Sequence, residues 1–437
     1  MAIVVNARLN SEPRGDFFAY RDAGGAWLLR AADLESLGLL NLPAGVDIEG
    51  ERYLRVDEIP GLRVTVDERT LTLDLDATPA ALQMKVLDFQ PARPKGMIET
   101  RDNSAFLNYQ IGYTWSAGSA PGVLSLDAAL NVRLMESLLF TDGRCAKASG
   151  SSRCVRGFTS VTRDSRTDLT RLVAGDFFAS SGDLGSTLNL AGLSFSKVYD
   201  IDPYFIRNPM ARFTGAVQIP SQSQLFLDGA PVGAQRLAPG PFLMENINYY
   251  GGARNLELVI RDAAGREQRL DMPFYFTDLL LREGLTDFSY NIGFQRRQFG
   301  IESWSYQGLA VSGFQRYGFR DWLTLGVRGE AAGKSGNLGP QLALKIDDAG
   351  IITANAAVSY NGDSYGEGGT LTYTYQSPRL NATALVRAFS SDYAFAGEVP
   401  AAIASADNLI GIAFLPVKPK FEAVASASYS FPGLGSA

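Results

Sequence analysis

From Phe106 to Trp115 nearly every second residue is large and apolar. Leu107, Tyr109, Ile111, Tyr113 and Trp115 share one parity, and Phe106, Asn108, Gln110, Gly112 and Thr114 share the other. Successive side chains of a strand point to opposite faces, so this order builds a strand with one greasy and one mostly polar face. The pattern recurs. Leu124, Leu126, Ala128, Leu130, Val132 and Leu134 alternate with Ser125, Asp127, Ala129, Asn131 and Arg133. Phe288, Tyr290, Ile292 and Phe294 alternate with Asp287, Ser289, Asn291 and Gly293, and Ile352, Ala354, Ala356, Val358 and Tyr360 with Thr353, Asn355, Ala357 and Ser359. Several runs reach about 9–11 residues, the length of a tilted strand across a bilayer. Turn material such as Asn361-Gly362-Asp363 separates them. Trp115, Tyr360 and Tyr375 close their runs as interfacial aromatics do, and Asp127, Arg133 and Lys345 fall on the parity that would face a watery lumen.

A soluble β-sandwich also alternates, with its apolar faces turned together. Two features of residues 100–200 and 285–430 favour a membrane barrel. The runs exceed the usual length of about five or six residues. The second parity carries Gly, Ala, Ser, Thr and Asn rather than dense surface charge. In TLNLAGLSFSKVY the apolar parity switches from Leu188 and Leu190 to Leu193 and Phe195, which predicts a bulge near Gly192.

The composition agrees with strands and narrows the chemistry. The chain has 437 residues, with 18 Tyr, 25 Phe and 45 Gly, a bias toward β structure with tight turns. A net charge of −6 without a dense Lys/Arg run argues against a nucleic-acid partner. Histidine is absent, which removes His acid–base chemistry, Ser-His-Asp triads and His metal sites. With no phosphate-binding Gly-rich loop and no metal-ligand cluster, no enzymatic activity, cofactor or metal is expected. Cys145 and Cys154 sit at the ends of CAKASGSSRC. A disulfide stapling an exposed loop in an oxidising compartment is expected, contributing about 2–3 kcal/mol at most; two free thiols in a cytosolic loop are the alternative. No apolar run is long enough for a transmembrane helix. MAIVVNARLN lacks the features of a signal peptide, so the chain reads as cytosolic or as a segment whose leader was removed.

Two regions break the pattern. Residues 1–80 are rich in charge and combine short strands (GAWLLRA, RYLRV, LRVTV, TLTLDLD) with a helix at AADLESLGLL, where Asp33 is expected to cap and Gly38 to stop. This reads as a small α+β domain. Residues 81–103, with Pro91 and Pro94, read as a linker. Residues 213–275 hold about five or six short strands, a small sandwich, around an Asp228-Gly229 turn and a Pro239-Gly240-Pro241-Phe242 corner. Lodged between residues 104–212 and 276–437, it must leave a barrel wall and return to it.

The ordered set LFLDGAPV, LAPGPFLMENI, NLELVIRDAAGREQ and MPFYF, with RLVAGDFF before it and LLREGLTDFSYNIGFQR and RYGFRDWLTLG after it, resembles the outer-membrane ushers of chaperone–usher pilus assembly. The middle module is similar to the usher plug, although Ala238 stands where the family's first Pro would be. The resemblance implies a mainly β chain: a partial transmembrane antiparallel β-barrel with an inserted β-sandwich plug and an amino-terminal periplasmic α+β domain. About five strands would precede the plug and roughly eight or nine follow it. Set beside the family, the chain looks like the front part of an usher, with the carboxy-terminal domains expected to be missing and the chaperone-gripping tail absent or reduced to MAIVV. Asp228, Gly229 and Pro239 to Phe242 are then plug residues, and Pro203, Arg207, Arg212 and Arg282 belong to its tethers.

The resemblance further implies a non-enzymatic secretion channel in the bacterial outer membrane. Its partners would be periplasmic chaperone–subunit complexes, pilus subunits and outer-membrane lipid, and it admits a homodimer. Rival readings are a plugged porin-like or transporter barrel, a soluble multi-domain β-sandwich adhesin and a barrel hydrolase. The last lacks any evident carboxylate or Lys constellation.

Overall fold

The computed structural model describes residues 2–90, 93–94, 96, 102–116, 122–148, 150–247, 252–397, 418–431 and 435–436; Pro91 lies outside them. The first strands are β1 (Ala2–Leu9), β2 (Glu12–Arg21), β3 (Trp27–Arg30), β4 (Val46–Ile48), β5 (Glu51–Arg55), β6 (Leu62–Asp67), β7 (Thr72–Ala77) and β8 (Lys85–Asp88), with helix α1 at Ala31–Ser36. Six long strands follow: β9 (Ser104–Thr114), β10 (Val123–Leu134), β11 (Ser137–Ala148), β12 (Ser151–Ser165), β13 (Thr170–Ser180) and β14 (Thr187–Lys197). Then come β15 (Ala211–Val217), β16 (Ser221–Leu227), β17 (Ala230–Leu237), β18 (Gly240–Ile247), β19 (Gly252–Asp262) and β20 (Glu267–Phe276). The last are β21 (Thr286–Arg296), β22 (Tyr306–Arg320), β23 (Leu323–Ala332), β24 (Ser335–Lys345), β25 (Ile351–Tyr360), β26 (Tyr365–Gln376), β27 (Leu380–Phe389), β28 (Phe421–Phe431) and β29 (Gly435–Ser436). They fall into two compact units: Met1–Pro91 with Met210–Phe276, and Ala92–Pro209 with Thr277–Ala437.

In the first unit, a seven-stranded sheet of order β4-β5-β3-β2-β1-β7-β6 closes over Val5, Leu29, Leu34, Leu54, Leu73 and Leu75. Helix α1 covers part of this core. Asp33 does not cap it: the residue lies inside the first turn and pairs with Arg30 at 2.8 Å, since the helix starts three residues earlier than the sequence suggests, with Arg30 at the N-cap position. The middle module is a two-sheet sandwich. One sheet has the order β17-β16-β19-β20 and the other β15-β18-β8. Leu225, Leu227, Leu256, Leu258 and Ile260 from the first meet Phe213, Phe242, Met244 and Ile247 from the second. The stretch expected as a linker thus contributes β8, which runs parallel to β18 from Phe242↔Lys85 to Glu245↔Asp88.

The second unit is one antiparallel sheet, running from β9 through β14, then β21 through β29. Strands β14 and β21 pair directly, from Leu190↔Gln295 to Ser196↔Ser289, so the wall passes the point where the module is inserted without a break. Six strands precede the module. The Gly/Ser-rich cysteine stretch, expected as a loop, is the end of the long β11–β12 hairpin, which reverses through Gly150 at φ 83°. The β13–β14 ladder is in continuous register from Thr170↔Lys197 to Ser180↔Thr187, with no bulge at Gly192. The apolar residues change faces instead. Leu193 and Phe195 point outward and are exposed, whereas Leu188 and Leu190 are buried with Ala310, Ala332 and Ala396.

One face of this wall is greasy and uncovered. Leu107, Ile111, Leu309, Leu338 and Val358 are each more than half exposed, and cross-strand pairs such as Leu126↔Ile111, Ile292↔Val311 and Leu338↔Val358 make the apolar surface continuous. Water-soluble proteins rarely show so large a patch, so a soluble sandwich is ruled out for this sheet and lipid is the fitting solvent. Polar residues occupy the other face, among them Asn291, Ser312, Arg328, Glu330, Asn337 and Ser359, all buried. Phe288, Tyr290, Tyr317, Phe319 and Trp322 gather toward one end of the strands, and Tyr113, Trp115, Tyr360 and Tyr365 toward the other.

Candidate functional site

The module residues singled out in the sequence occupy two tight reversals. Asp228 (φ 48°) and Gly229 (φ 83°) form the β16–β17 turn with the paired positive φ values of a type I′ hairpin. The Asp228 carboxylate accepts the Asn255 N–H at 3.0 Å and pairs with Arg254 at 3.0 Å, tying the turn to β19. Pro239 precedes β18, and Gly240 adopts φ 129°, where a Cβ would come within 3.2 Å of Leu82. Pro241 pairs with Ala216, and Phe242 is 2% exposed inside the sandwich core. The corner therefore positions a core ring and a seat for Leu82.

The tether residues divide. Pro203 and Arg207 lie between β14 and β15, Arg282 lies between β20 and β21, and Arg212 stands exposed within β15 itself. The two connections are bonded to each other, the Arg282 N–H donating to the Arg207 carbonyl at 2.8 Å. They also share an apolar cluster of Leu169, Tyr199 and Leu281 with Ile201, Phe205 and Leu285. The Tyr199 ring stacks on Phe205, and its hydroxyl donates to the Thr286 carbonyl at 2.7 Å. Burial, then the nearby Asp287 carboxylate, pushes the Tyr199 hydroxyl up to about 12. Arg207 faces Asp200 at 3.8 Å.

In an up-and-down ladder, connections alternate between the two ends of the wall. The β14-to-module-to-β21 passage lies at one end with the turns 166–169, 321–322, 346–350 and 377–379; the connections 181–186, 297–305 and 390–397 lie at the other. That far end also carries the cysteines. Cys145 of β11 and Cys154 of β12 stand directly opposite each other and are bridged.

Sequence reasoning missed a second cluster at the far end. The Glu330 carboxylate accepts Ser181 Oγ (3.2 Å), the Ser186 N–H (2.9 Å), Asn337 Nδ2 (3.0 Å) and the Ala396 N–H (2.9 Å). Arg328, 1% exposed, donates to Ser181 Oγ at 2.8 Å and to Asn337 Oδ1. Tyr393 donates to the Leu184 carbonyl at 2.7 Å, and Ser359 Oγ accepts the Ala394 N–H at 2.9 Å. Two connections distant in sequence are thus fastened to the polar face of β23, β24 and β25. The available signal was Arg328 and Glu330 in LTLGVRGEAA, two charges on one parity of a wall strand.

Fold and site together define a class: a membrane-type antiparallel β-wall with a folded two-sheet module inserted between adjacent strands. No family model matches the chain. The sequence is similar to the outer membrane usher protein FimD of Escherichia coli K12, 25% identical over 279 residues, which covers 61% of this chain and 31% of that protein. It is also similar to the F1 capsule-anchoring protein of Yersinia pestis, 24% identical over 202 residues, 46% of this chain and 24% of that protein. A chain in the cryo-EM structure of the E. coli P pilus tip assembly intermediate PapC-PapD-PapK-PapG shares the fold. It has a TM-score of 0.54 at 14% identity, over 99% of this chain and 56% of that one. The matched stretches span a third or less of these two curated relatives. The particular likeness is therefore to the outer-membrane ushers, as the motifs lead one to expect, and the outer membrane is the setting that the lipid-facing wall requires.

Proposed function

We propose that this chain forms wall, plug and amino-terminal recruiting domain of a pilus usher. Chaperone–subunit complexes arriving in the periplasm bind residues 1–80, the module of residues 213–275 blocks and frees the bore, and pilus subunits pass through it. Subunits join by donating a strand to the neighbour's groove, an exchange driven by interaction free energy, so no catalytic step and no cofactor is assigned. Outer-membrane lipid covers the apolar face, and a homodimer is compatible with this arrangement. One observation carries the reading: β14 and β21 are ladder partners although 88 residues (198–285) separate them, most of them a folded sandwich. A porin-like barrel has no need of such an insertion, and an adhesin has no need of a lipid-facing wall.

The test has two arms. Replacing residues 210–276 with a short Gly/Ser linker should raise the ion conductance of the reconstituted chain; unchanged conductance would remove the plug role. The intact chain should retain a purified chaperone–subunit complex on beads, and a chain lacking residues 1–80 should not. Equal retention by both would move the recruiting site elsewhere.

A further inference from the structure

The ladder between β12 and β13 stops halfway. It pairs Ser165↔Thr170 up to Ser160↔Gly175, yet β12 begins at Ser151 and β13 continues to Ser180. Toward the far end, among the described residues, β12 pairs only with β11 and β13 only with β14. An edge of this kind inside a wall leaves backbone donors and acceptors without strand partners.

Side chains take their place. The Arg156 N–H donates to Ser303 Oγ (3.1 Å) and the Thr159 N–H to Asp176 Oδ2 (2.9 Å); on the β11 side, where that ladder shifts register, the Phe158 N–H donates to Asp142 Oδ1 (2.5 Å). The Arg296 guanidinium donates to the carbonyls of Gly157 and Arg156, the latter at 2.7 Å. Gly157 leaves room for the Asp142 carboxylate of β11: a Cβ there would sit 2.2 Å from it. Ile301 and Ser303 belong to the connection between β21 and β22, which reaches past β14 and β13 to dock on β12. Arg153 holds the Ile301 carbonyl at 2.5 Å, and Arg156 and Arg296 each reach the Ser303 carbonyl at 3.3 Å. Asp176 is the common anchor. Its side chain is 2% exposed, pairs with Arg156, lies 3.5 Å from the fully buried Arg296 and accepts the Tyr306 hydroxyl at 2.8 Å. Trp304 covers Arg156 at 4.4 Å, and Phe299 packs on Phe158 at 4.6 Å.

We propose that the far half of the β12–β13 seam is a side gate in the wall, closed by the strap 297–305 through Arg156 and Arg296, which Asp176 anchors, rather than by a strand ladder. Opening a ladder breaks a row of backbone bonds together. Opening this seam releases one strap, held on β12 by a few contacts through Arg153, Arg156 and Arg296, the last two set in place by the buried Asp176 carboxylate. The Cys145–Cys154 bridge keeps β11 and β12 together as one leaf, which places the opening between β12 and β13. The gate would let the wall widen locally, whatever passes through the bore, and it stands apart from the usher reading.

Hydrogen exchange read by mass spectrometry on the full chain in detergent tests this. Asp176→Asn should speed exchange in the peptide 153–160 by about ten- to a hundredfold. The control is Asp164→Asn, which removes an ion pair with Arg171 (2.7 Å) across the same two strands where their ladder is continuous; it should leave peptide 153–160 unchanged. Ser303→Ala loosens the strap while leaving the anchor intact, and should speed the same peptide several-fold. It decides the matter if Asp176→Asn does not fold. Exchange unaltered in Ser303→Ala, or accelerated equally by Asp164→Asn, would overturn the gate.

Discussion

Phe242→Ala should unfold the middle module selectively. Phe242 is buried where the two sheets meet, 2% exposed, with its ring over Gly215. Removing a buried phenylalanine ring costs about 3–5 kcal/mol. Area gives a similar figure: a ring burying roughly 150–250 Å² at about 25 cal/mol per Å² is worth about 4–6 kcal/mol. At about 1.4 kcal/mol per factor of ten, the module's open population rises roughly 150- to 5,000-fold. The structure adds a second, opposite perturbation. A Cβ on Gly215 would lie 2.7 Å from Phe242 Cζ and 3.0 Å from Cε1, so Gly215→Ala overpacks the same spot and should cost about 1–3 kcal/mol. Gly215→Ala combined with Phe242→Leu relieves that crowding, and the pair should cost at least about 1 kcal/mol less than the sum of the singles.

The assay is hydrogen exchange in the full chain, following peptides 211–217 and 240–247 for the module and 286–296 for the wall. Module amides should speed up and wall amides should not. If the wall peptide accelerates equally, the two units are not separate folding bodies. If the two substitutions add, the Gly215–Phe242 contact is not what limits packing at the corner. Under the plug reading, Phe242→Ala also raises passive permeability, because an unfolded module no longer fills space.

Two further outcomes follow from the wall and its connections. Glu330→Gln removes the carboxylate shared by connections 181–186 and 390–397, costing about 2–4 kcal/mol through weakened charge-assisted bonds; exchange in both connections should rise together, and a rise in only one would break the shared-anchor argument. Tyr199 is held neutral, its hydroxyl raised to about 12 from an ordinary 10.0, so its contribution is complete below pH 10 and is lost as pH rises from 10 to 12. That amounts to roughly 2–3 kcal/mol. Tyr199→Phe should flatten the alkaline loss of wall stability in that window, and an unchanged slope would refute the assignment.

Much of this fold is legible because strand alternation is a local signal. Leu107 to Trp115 and Phe288 to Phe294 declare their faces within ten residues, and Asp228-Gly229 declares its turn in two. The misses share a cause. Lys85–Asp88 carries no pattern of its own and becomes β8 only because β18 offers an edge. The parity switch at Gly192 resembles a bulge, and only the burial of Leu188 and Leu190 by residues far along the chain explains it as a change of surroundings. The cysteine stretch reads as a loop because Gly and Ser serve tight hairpin ends equally well.

The same reasoning explains why the polar clusters were illegible although the wall was not. Glu330 answers to Ser181, Ser186 and Ala396, and Asp176 to Arg156, Arg296 and Tyr306. Neither set has a spacing that a strand or a helix imposes, because each joins residues far apart in the chain, in or beside the connections that cross the wall, rather than ladder partners. A residue serving a ladder must recur with period two to stay on its face. A residue serving a crossing connection is free of that constraint and can be moved without disturbing the wall. Devices that open and close should accumulate at such crossings, where few contacts hold the structure and no ladder must break. Exchange rates that rise at 153–160, 181–186 and 390–397 well before those of 286–296 as denaturant is added would bear this out; uniform protection across the sheet would contradict it.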